Sequence, residues 1–291
     1  MNDILNVNIQ KMLPIRAASS HKGTYGRLTC VVGSSHYRGA AALSTVSALR
    51  SGAGIVRLAS VEPAIAVAAG MDPSMIFLPL EMTEGGSIGM HNWEEIVSAS
   101  HDSKSMLIGS GIGQDNDTKI LVKELVEKFE KTLILDADAL NIISGLGVDI
   151  LKKCMMTPII TPHIGEMASL TETTAEAVSE NMEECAKTFS MAYSCITVLK
   201  SSKTVISDKT GEIFVLDSPN PALATAGSGD VLAGLIAGLS VQGISPTDSA
   251  ILGVYIHSEA GKRAAKKYST YSTTAKDILS EIPEVFLQLG R

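Results

Sequence analysis

The residues best spaced for chemistry lie between Asn220 and Gly243. There Thr225-Ala226-Gly227-Ser228-Gly229-Asp230 runs straight into an apolar stretch with a helical period. Glycines at 227 and 229 permit backbone angles that turn successive N–H groups inward, which makes an anion-binding nest. A helix beginning at that point adds unpaired N–H donors and the positive end of its dipole. Asp230, on the first turn, then makes sense as a base. It would take a proton from a hydroxyl while the amides hold the charge of a transferred phosphoryl group. The plain alternative is an acid that merely favours a helix N-terminus, and a short glycine motif does not choose between the two. Gly234 and Gly238 inside the following helix cost about 1 kcal/mol each against Ala, so they imply tight packing or the close approach of a ligand.

No Walker P-loop is present, because G-x-x-x-x-G-K-[ST] occurs nowhere. The stretch Gly33–Gly39 lacks the lysine and does not match G-x-G-x-x-G. It reads as a loop at the C-terminal end of a strand, where open α/β sheets bind ligands.

The elements that must position these groups alternate along the chain. LTCVVG (28–33), IVRLAS (55–60), MLIGSGIG (106–113), TLILDADAL (132–140), PIITPHIGEMASL (158–170) and CITVLK (195–200) contain strand-like apolar runs. Helical patterns lie between them, at 39–54, around 119–131 and near 175–193. Continuous rather than alternating apolar strands indicate a sheet covered on both faces. The economical arrangement is a mostly parallel sheet in a three-layer α/β/α sandwich. Residues 204–217 differ: two short strands flank the turn-forming Asp208–Gly211, a hairpin expected at the sheet edge. Helices are expected over 230–242, 246–268 and from 274 onward. No linker or repeat divides the chain, so residues 1–291 are expected to form one domain.

Composition narrows the function classes. Hydrophobic residues make up 45% but aromatics only 4%, a profile that suits small-residue helices packed closely on a sheet. The net charge of −7 and the lack of a Lys/Arg run argue against extended nucleic acid, which needs a basic face. The four cysteines have no C-x-x-C pair, so neither a disulfide framework nor a zinc site is expected. The N-terminus does not read as a signal peptide, and no apolar stretch is long enough to span a bilayer, so a cytoplasmic protein without membrane partners is expected.

Taken in order, HKGTYGR (21–27), RGAAALSTVSALRSGAG (38–54), IGSGIG (108–113), LDADALN (135–141), TPHIGE (161–166), VLKSSKTVI (198–206) and NPALATAGSGDVLAGLIAG (220–238) resemble the NAD(P)H-hydrate dehydratases of the ribokinase-like superfamily. The likeness spans nearly the whole chain. It implies a repair enzyme for hydrated NADH and NADPH. Water added to the dihydronicotinamide ring leaves a hydroxyl, which is a poor leaving group. Members of the family phosphorylate it from ADP or ATP with Mg2+, and phosphate then departs as the double bond re-forms. The chain looks like the stand-alone dehydratase, working with a separate epimerase, and relatives suggest a homotetramer.

Carried onto this chain, the resemblance makes Asp230 the base and a substrate contact. Gly227, Ser228 and Gly229 become the anion hole, with Gly229 also beside the nucleotide. Lys200, Ser201, Ser202, Lys203 and Thr204 would line the adenine-nucleotide pocket, with Ser201 standing where relatives usually have glycine. Ala40, Gly111, Gly113 and His163 would contact the hydrated dinucleotide; Ile164 stands where Pro is common. Each has a plainer reading: His163 a loop residue ahead of a helix start, Lys200 a strand-end charge reaching solvent. Asp136 and Glu166 could assist Mg2+ through water or serve locally, Asp138 reads as a helix cap, and no metal ligand set is fixed. The rival functions are a ribokinase-like kinase for a vitamin precursor, which TPHIGE and the HKGTYGR opening disfavour, and a nucleotide sensor without activity.

Overall fold

The computed structural model describes residues 2–291. Ten strands form one sheet: β1 (Asn2–Asp3), β2 (Arg27–Val31), β3 (Ile55–Val61), β4 (Ile76–Leu80), β5 (Ser105–Ile108), β6 (Thr132–Leu135), β7 (Ile159–Ile160), β8 (Ile196–Lys200), β9 (Lys203–Ser207) and β10 (Ile213–Asp217). Their order is β1-β10-β9-β8-β7-β6-β5-β2-β3-β4. The strands from β2 to β8 pair in parallel, and β9 and β10 run antiparallel to their neighbours in the chain. This is the mostly parallel α/β sheet that the alternating apolar runs implied, and it agrees with the ribokinase-like fold expected from the resemblance.

The apolar runs account for the central strands. Every residue of β5, and Leu133, Ile134 and Leu135 of β6, is buried, because helices cover both faces. The helices Arg38–Arg50, Ser228–Ser240, Pro246–Ser272 and Ala275–Gln288 pack on one another, while Asn116–Lys128, Asp138–Leu146 and Ile164–Leu170 form a second group. Gly234 and Gly238 are explained here. An added methyl at Gly234 would collide with the Ser44 carbonyl, and one at Gly238 with Ser51 and Ala48. Close packing on the Arg38–Arg50 helix, rather than ligand approach, is what demands glycine at both positions.

Three expectations shift in detail. The hairpin over 204–217 forms as β9 and β10, but β1 pairs with β10, so it lies one strand in from the edge. The helix read over 175–193 is two, Ala175–Glu180 and Met182–Tyr193, parted at Asn181. The strand Ile76–Leu80 has no counterpart in the sequence reading: its apolar run IFLPL contains Pro79, which argues against a central strand, and the structure puts it at the sheet edge, where proline is tolerated and all its side chains but Leu80 stay half exposed or exposed. Among the described residues, no helix is long and apolar enough to cross a membrane.

The sheet reverses its winding between β2 and β5. From β2 the chain proceeds outward through β3 and β4, then returns to the other side of β2 and continues through β6, β7 and β8. Loops leaving β2 and β5 therefore part at their C-terminal ends and open a crevice, the standard ligand position of such sheets. They are tied at its base, where the Gly33 amide donates to the Ser110 carbonyl at 2.8 Å.

Candidate active site

The turn at Thr225–Asp230 opens the Ser228–Ser240 helix beneath this crevice. Gly227 caps the helix at φ +87°, ψ −8°, a left-handed conformation that glycine adopts without steric cost. A Cβ there would also strike Leu43. The Ser228 amide donates to the Thr225 carbonyl at 3.2 Å, and the Val231 amide to the Gly227 carbonyl at 3.1 Å. Among the described residues, the amides of Gly227, Gly229 and Asp230 donate to no protein acceptor. The free donors thus differ by one from the expected set, with Asp230 in place of Ser228. Ser228 takes part through its hydroxyl, which lies 3.1 Å from His257 Nε2.

Charged groups converge on this hole from two strand ends, those of β6 and β8. Asp136, following β6, is 2% exposed and bonded on both oxygens. Its Oδ2 accepts the Ser110 hydroxyl at 3.0 Å, and its Oδ1 accepts the Thr161 hydroxyl at 2.7 Å and Lys200 Nζ at 3.1 Å. Lys200, at the end of β8, turns inward rather than reaching solvent. Burial opposes its charge, but Asp136, then Glu166 and Asp230, outweigh that and hold its pKa above the ordinary value. Its ammonium stands over the turn, 3.5 Å from where a Cβ on Gly229 would lie.

Asp230 responds to these surroundings. Burial first, then the negative charges of Asp136 and Asp138, raise its pKa; Lys200 and the Ser110 hydroxyl pull the other way, and it settles at about 7. A carboxylate poised near neutrality is suited to accept and release a proton.

Asp138 is not the helix cap expected of it. Ala137 occupies the cap position of the Asp138–Leu146 helix, which has no side-chain cap bond. Asp138 instead accepts the Gly113 amide at 3.0 Å and Gln114 Nε2 at 2.8 Å, anchoring the loop after β5. Ala137 adopts φ 49°, ψ −116°, a strained backbone for a residue with a Cβ; the acids on either side of this bend both bond the loop after β5, Asp136 at Ser110 and Asp138 at Gly113 and Gln114, while Asp136 also bonds Thr161 after β7.

The residues expected to meet the dinucleotide are brought together in part. Gly111, at φ +66°, packs on Tyr37 and Ala40, where the loops after β2 and β5 meet, while Gly113, at φ +86°, packs on Ser87 in the loop after β4. His163 is the N-cap of the Ile164–Leu170 helix. Its Nδ1 accepts the Glu166 amide at 3.1 Å, and Glu166 Oε2 accepts the His163 amide at 2.8 Å. Its ring is 60% exposed, and Lys200 is held alongside by the hydrogen bond its amide donates to the Pro162 carbonyl at 2.8 Å.

A cavity of about 410 Å3 opens beside Lys200, lined by Ser201, Ser202, Thr204, Asn220, Leu232 and His257 among others, within the size range of small-ligand sites. Lys203 does not join it; its Nζ pairs with Glu183 at 2.7 Å. Ser201 and Ser202 both keep negative φ, so serine at 201 meets no conformational barrier. Larger surface grooves beside Tyr193 and beside Leu287 hold none of the groups gathered around Asp230.

Sequence reasoning missed Ser110, Thr161 and His257. Ser110 lies between the glycines of IGSGIG and Thr161 opens TPHIGE, so both had a local signal. His257, inside a long helix, had none.

Among the described residues, no three His, Cys, Asp or Glu side chains converge as a metal cluster. The oxygens of Asp136 and Asp138 are already engaged by protein donors. Such a site fits a hydrated Mg2+ carried on phosphates, since that ion keeps several waters and takes one or two carboxylates. It does not fit a metal caged by protein alone.

A family model described as NAD(P)H-hydrate dehydratase matches residues 28–284. The chain is 33% identical to the ADP-dependent (S)-NAD(P)H-hydrate dehydratase of Xanthomonas campestris, over 96% of this chain and 94% of that one. It is 35% identical to the bifunctional NAD(P)H-hydrate repair enzyme of Moorella thermoacetica over 96% of its own length, and it spans about half the length of such bifunctional relatives, 53% in that case. The crystal structure of the Bacillus subtilis ADP/ATP-dependent NAD(P)H-hydrate dehydratase, co-crystallised with ATP/Mg2+, superposes with a TM-score of 0.81 at 26% identity, covering 97% of this chain and 96% of that one.

Proposed function

This chain belongs to the NAD(P)H-hydrate dehydratase family, and we propose that it restores hydrated NADH and NADPH by phosphorylating the ring hydroxyl from ADP or ATP and eliminating phosphate. The observation that carries this reading is the position of Asp230. It stands buried on the first turn of a helix whose opening amides are unpartnered, where Lys200, Asp136 and Ser110 all act on its carboxylate, and Lys200 also walls the neighbouring cavity.

In this reading the nucleotide occupies the cavity walled by Lys200, Ser201, Ser202 and Thr204, and the dinucleotide enters the crevice toward His163. Asp230 accepts the proton of the ring hydroxyl as that oxygen bonds to the terminal phosphorus. The phosphoanhydride bond breaks, and AMP leaves if the donor is ADP. The amides of Gly227, Gly229 and Asp230 hold the charge on the transferring phosphoryl oxygens, and Lys200 supplies a fixed positive charge beside them. The ring C–O bond then breaks with loss of phosphate, and loss of a proton from the adjacent carbon re-forms the double bond. The sum is one hydrate and one ADP consumed, with one reduced dinucleotide, AMP, phosphate and a proton released. Mg2+ on the phosphates would offset their charge, with Glu166, Asp136 and Asp138 in reach to receive its waters. A cytoplasmic homotetramer working beside an epimerase completes the reading; unpaired cysteines suit a reducing compartment.

Incubation of hydrated NADH with ADP or ATP and Mg2+, followed by reduced-nicotinamide absorbance, tests it. Recovery that depends on the nucleotide, with stoichiometric phosphate release, is expected. Recovery with neither nucleotide, no recovery with either, or accumulation of a phosphorylated product overturns it; the last would indicate a kinase.

A further inference from the structure

The turn at Thr225–Asp230 has to hold three amides in fixed directions, yet its own sequence does little to hold them. It contains two glycines, and the cap residue Gly227 has no side chain with which to cap the helix. Among the described residues, Ser110 acts on the Asp230 carboxylate, and the side-chain hydrogen bond that ties the helix start itself joins the Ser228 hydroxyl and His257 Nε2, 3.1 Å apart.

His257 comes from the Pro246–Ser272 helix, remote in sequence, and its side chain is both buried and part of the wall of the cavity beside Lys200. A histidine that only filled the core would not stand at that boundary. Burial, opposed by the Ser228 backbone and aided by the nearby positive charge of Lys200, lowers the imidazole pKa to about 4. The ring is therefore neutral at physiological pH, a hydrogen-bonding strut that adds no positive charge to the hole.

We propose that His257 is a positioning residue for phosphoryl transfer: from the wall of the nucleotide cavity its Nε2 holds the Ser228 hydroxyl, and through it fixes the start of the helix whose free amides receive the transferred phosphoryl group. The inference rests on the function proposed above. It predicts that the loss falls on ligands bearing a terminal phosphoryl group, because those alone engage the amides.

The test uses the full-length chain with His257→Ala, His257→Gln, Ser228→Ala and the Ser228→Ala/His257→Ala double variant. Binding of adenosine and of ADP is measured by calorimetry without turnover, beside dehydration kinetics. His257→Ala is expected to weaken ADP by ~10-fold while leaving adenosine within a few-fold, and to lower kcat by ~10- to 100-fold, the usual cost of small misplacement in a site. KM for the hydrate stays near its original value, and His257→Gln, whose carboxamide can still meet Ser228, recovers much of the loss. Ser228→Ala, a small change that approaches the contact from the other side, is expected to match His257→Ala, with the double variant no worse than either single one. Equal loss of adenosine and ADP, losses that multiply in the double variant, or unchanged ADP affinity and kcat would each overturn the proposal. The comparison of ADP with adenosine is read by binding alone, so it fails or succeeds separately from the dehydratase activity.

Discussion

Lys200 Nζ lies 3.1 Å from Asp136 Oδ1, and with side-chain exposures of 19% and 2% this pair sits inside the protein, not on its surface. The two residues are held at the ends of different strands, and Asp230 feels both. Burial does most to raise its pKa; Asp136 adds to the rise and Lys200 opposes it, so the pair tunes the proton affinity of the proposed base. Asp136→Asn should remove the repulsion and free the ammonium to approach Asp230. The Asp230 pKa then falls, and the acid limb of the pH–kcat/KM profile moves to lower pH. The rate at the plateau drops by ~10-fold or more as Lys200 shifts, and stability drops by ~1–3 kcal/mol as buried partners are lost. An acid limb unmoved by the substitution would separate Asp136 from the proton transfer.

In the unaltered protein the same limb is expected near pH 7, because a base is active only when deprotonated and Asp230 releases its proton at about 7. Asp230→Asn should lower kcat by ~100- to 10,000-fold, the usual contribution of a positioned base, while nucleotide affinity changes little. Single-turnover kinetics beside nucleotide titration checks both. An inactive nucleotide sensor would show no such split.

That raised pKa also carries a stability consequence. The folded state binds the Asp230 proton more tightly than the unfolded chain does, so its contribution is fully present below about pH 4 and is lost as pH rises toward about 7. Above that, burial of the charge costs up to ~4 kcal/mol. Asp230→Asn, inactive, should therefore melt higher than the original protein at pH 8, with the difference shrinking toward pH 4. Melting curves at the two pH values decide it.

Two helix glycines should answer alanine in opposite directions. Gly234→Ala drives a methyl into the Ser44 carbonyl, a backbone group that cannot yield, and should cost ~2–3 kcal/mol or more. Gly70, in the Glu62–Met71 helix, has nothing within 4 Å of its added Cβ, and Gly70→Ala should gain up to ~1 kcal/mol. Chemical denaturation of the two variants measures the contrast.

Ala137→Gly should be mildly stabilising although it lies between two site acids. The bend at φ 49° costs a residue with a Cβ ~1–2 kcal/mol, which exceeds the extra chain entropy of glycine, ~0.5–1 kcal/mol. Activity should stay within a few-fold, because the bend itself is retained. Lower stability would show that Ala137 is not strained.

The sequence by itself determined the central strands, the main helices between them and the turn at 225–230. Those follow from local rules: apolar period, the backbone freedom of glycine, and the dipole of a helix opening at Ser228. Such rules act within a few residues, and there the reading held, down to Asp230 on the first turn. What they left open was every question of which groups meet. Glycine at 234 and 238 signalled close approach, but only the packed Arg38–Arg50 helix identified what approaches. Asp138 read as a cap because acids cap helices; only the loop after β5, brought beside it by strand order, took its carboxylate instead. Lys200 was open to two readings, a pocket residue and a solvent-seeking charge, and β8 places it beside Asp136. His257 had no sequence signal at all, since its partner is set by how two helices pack. Charge pairing and burial depend on distances fixed by the order of strands in the sheet, and that order comes from the summed packing of the whole chain.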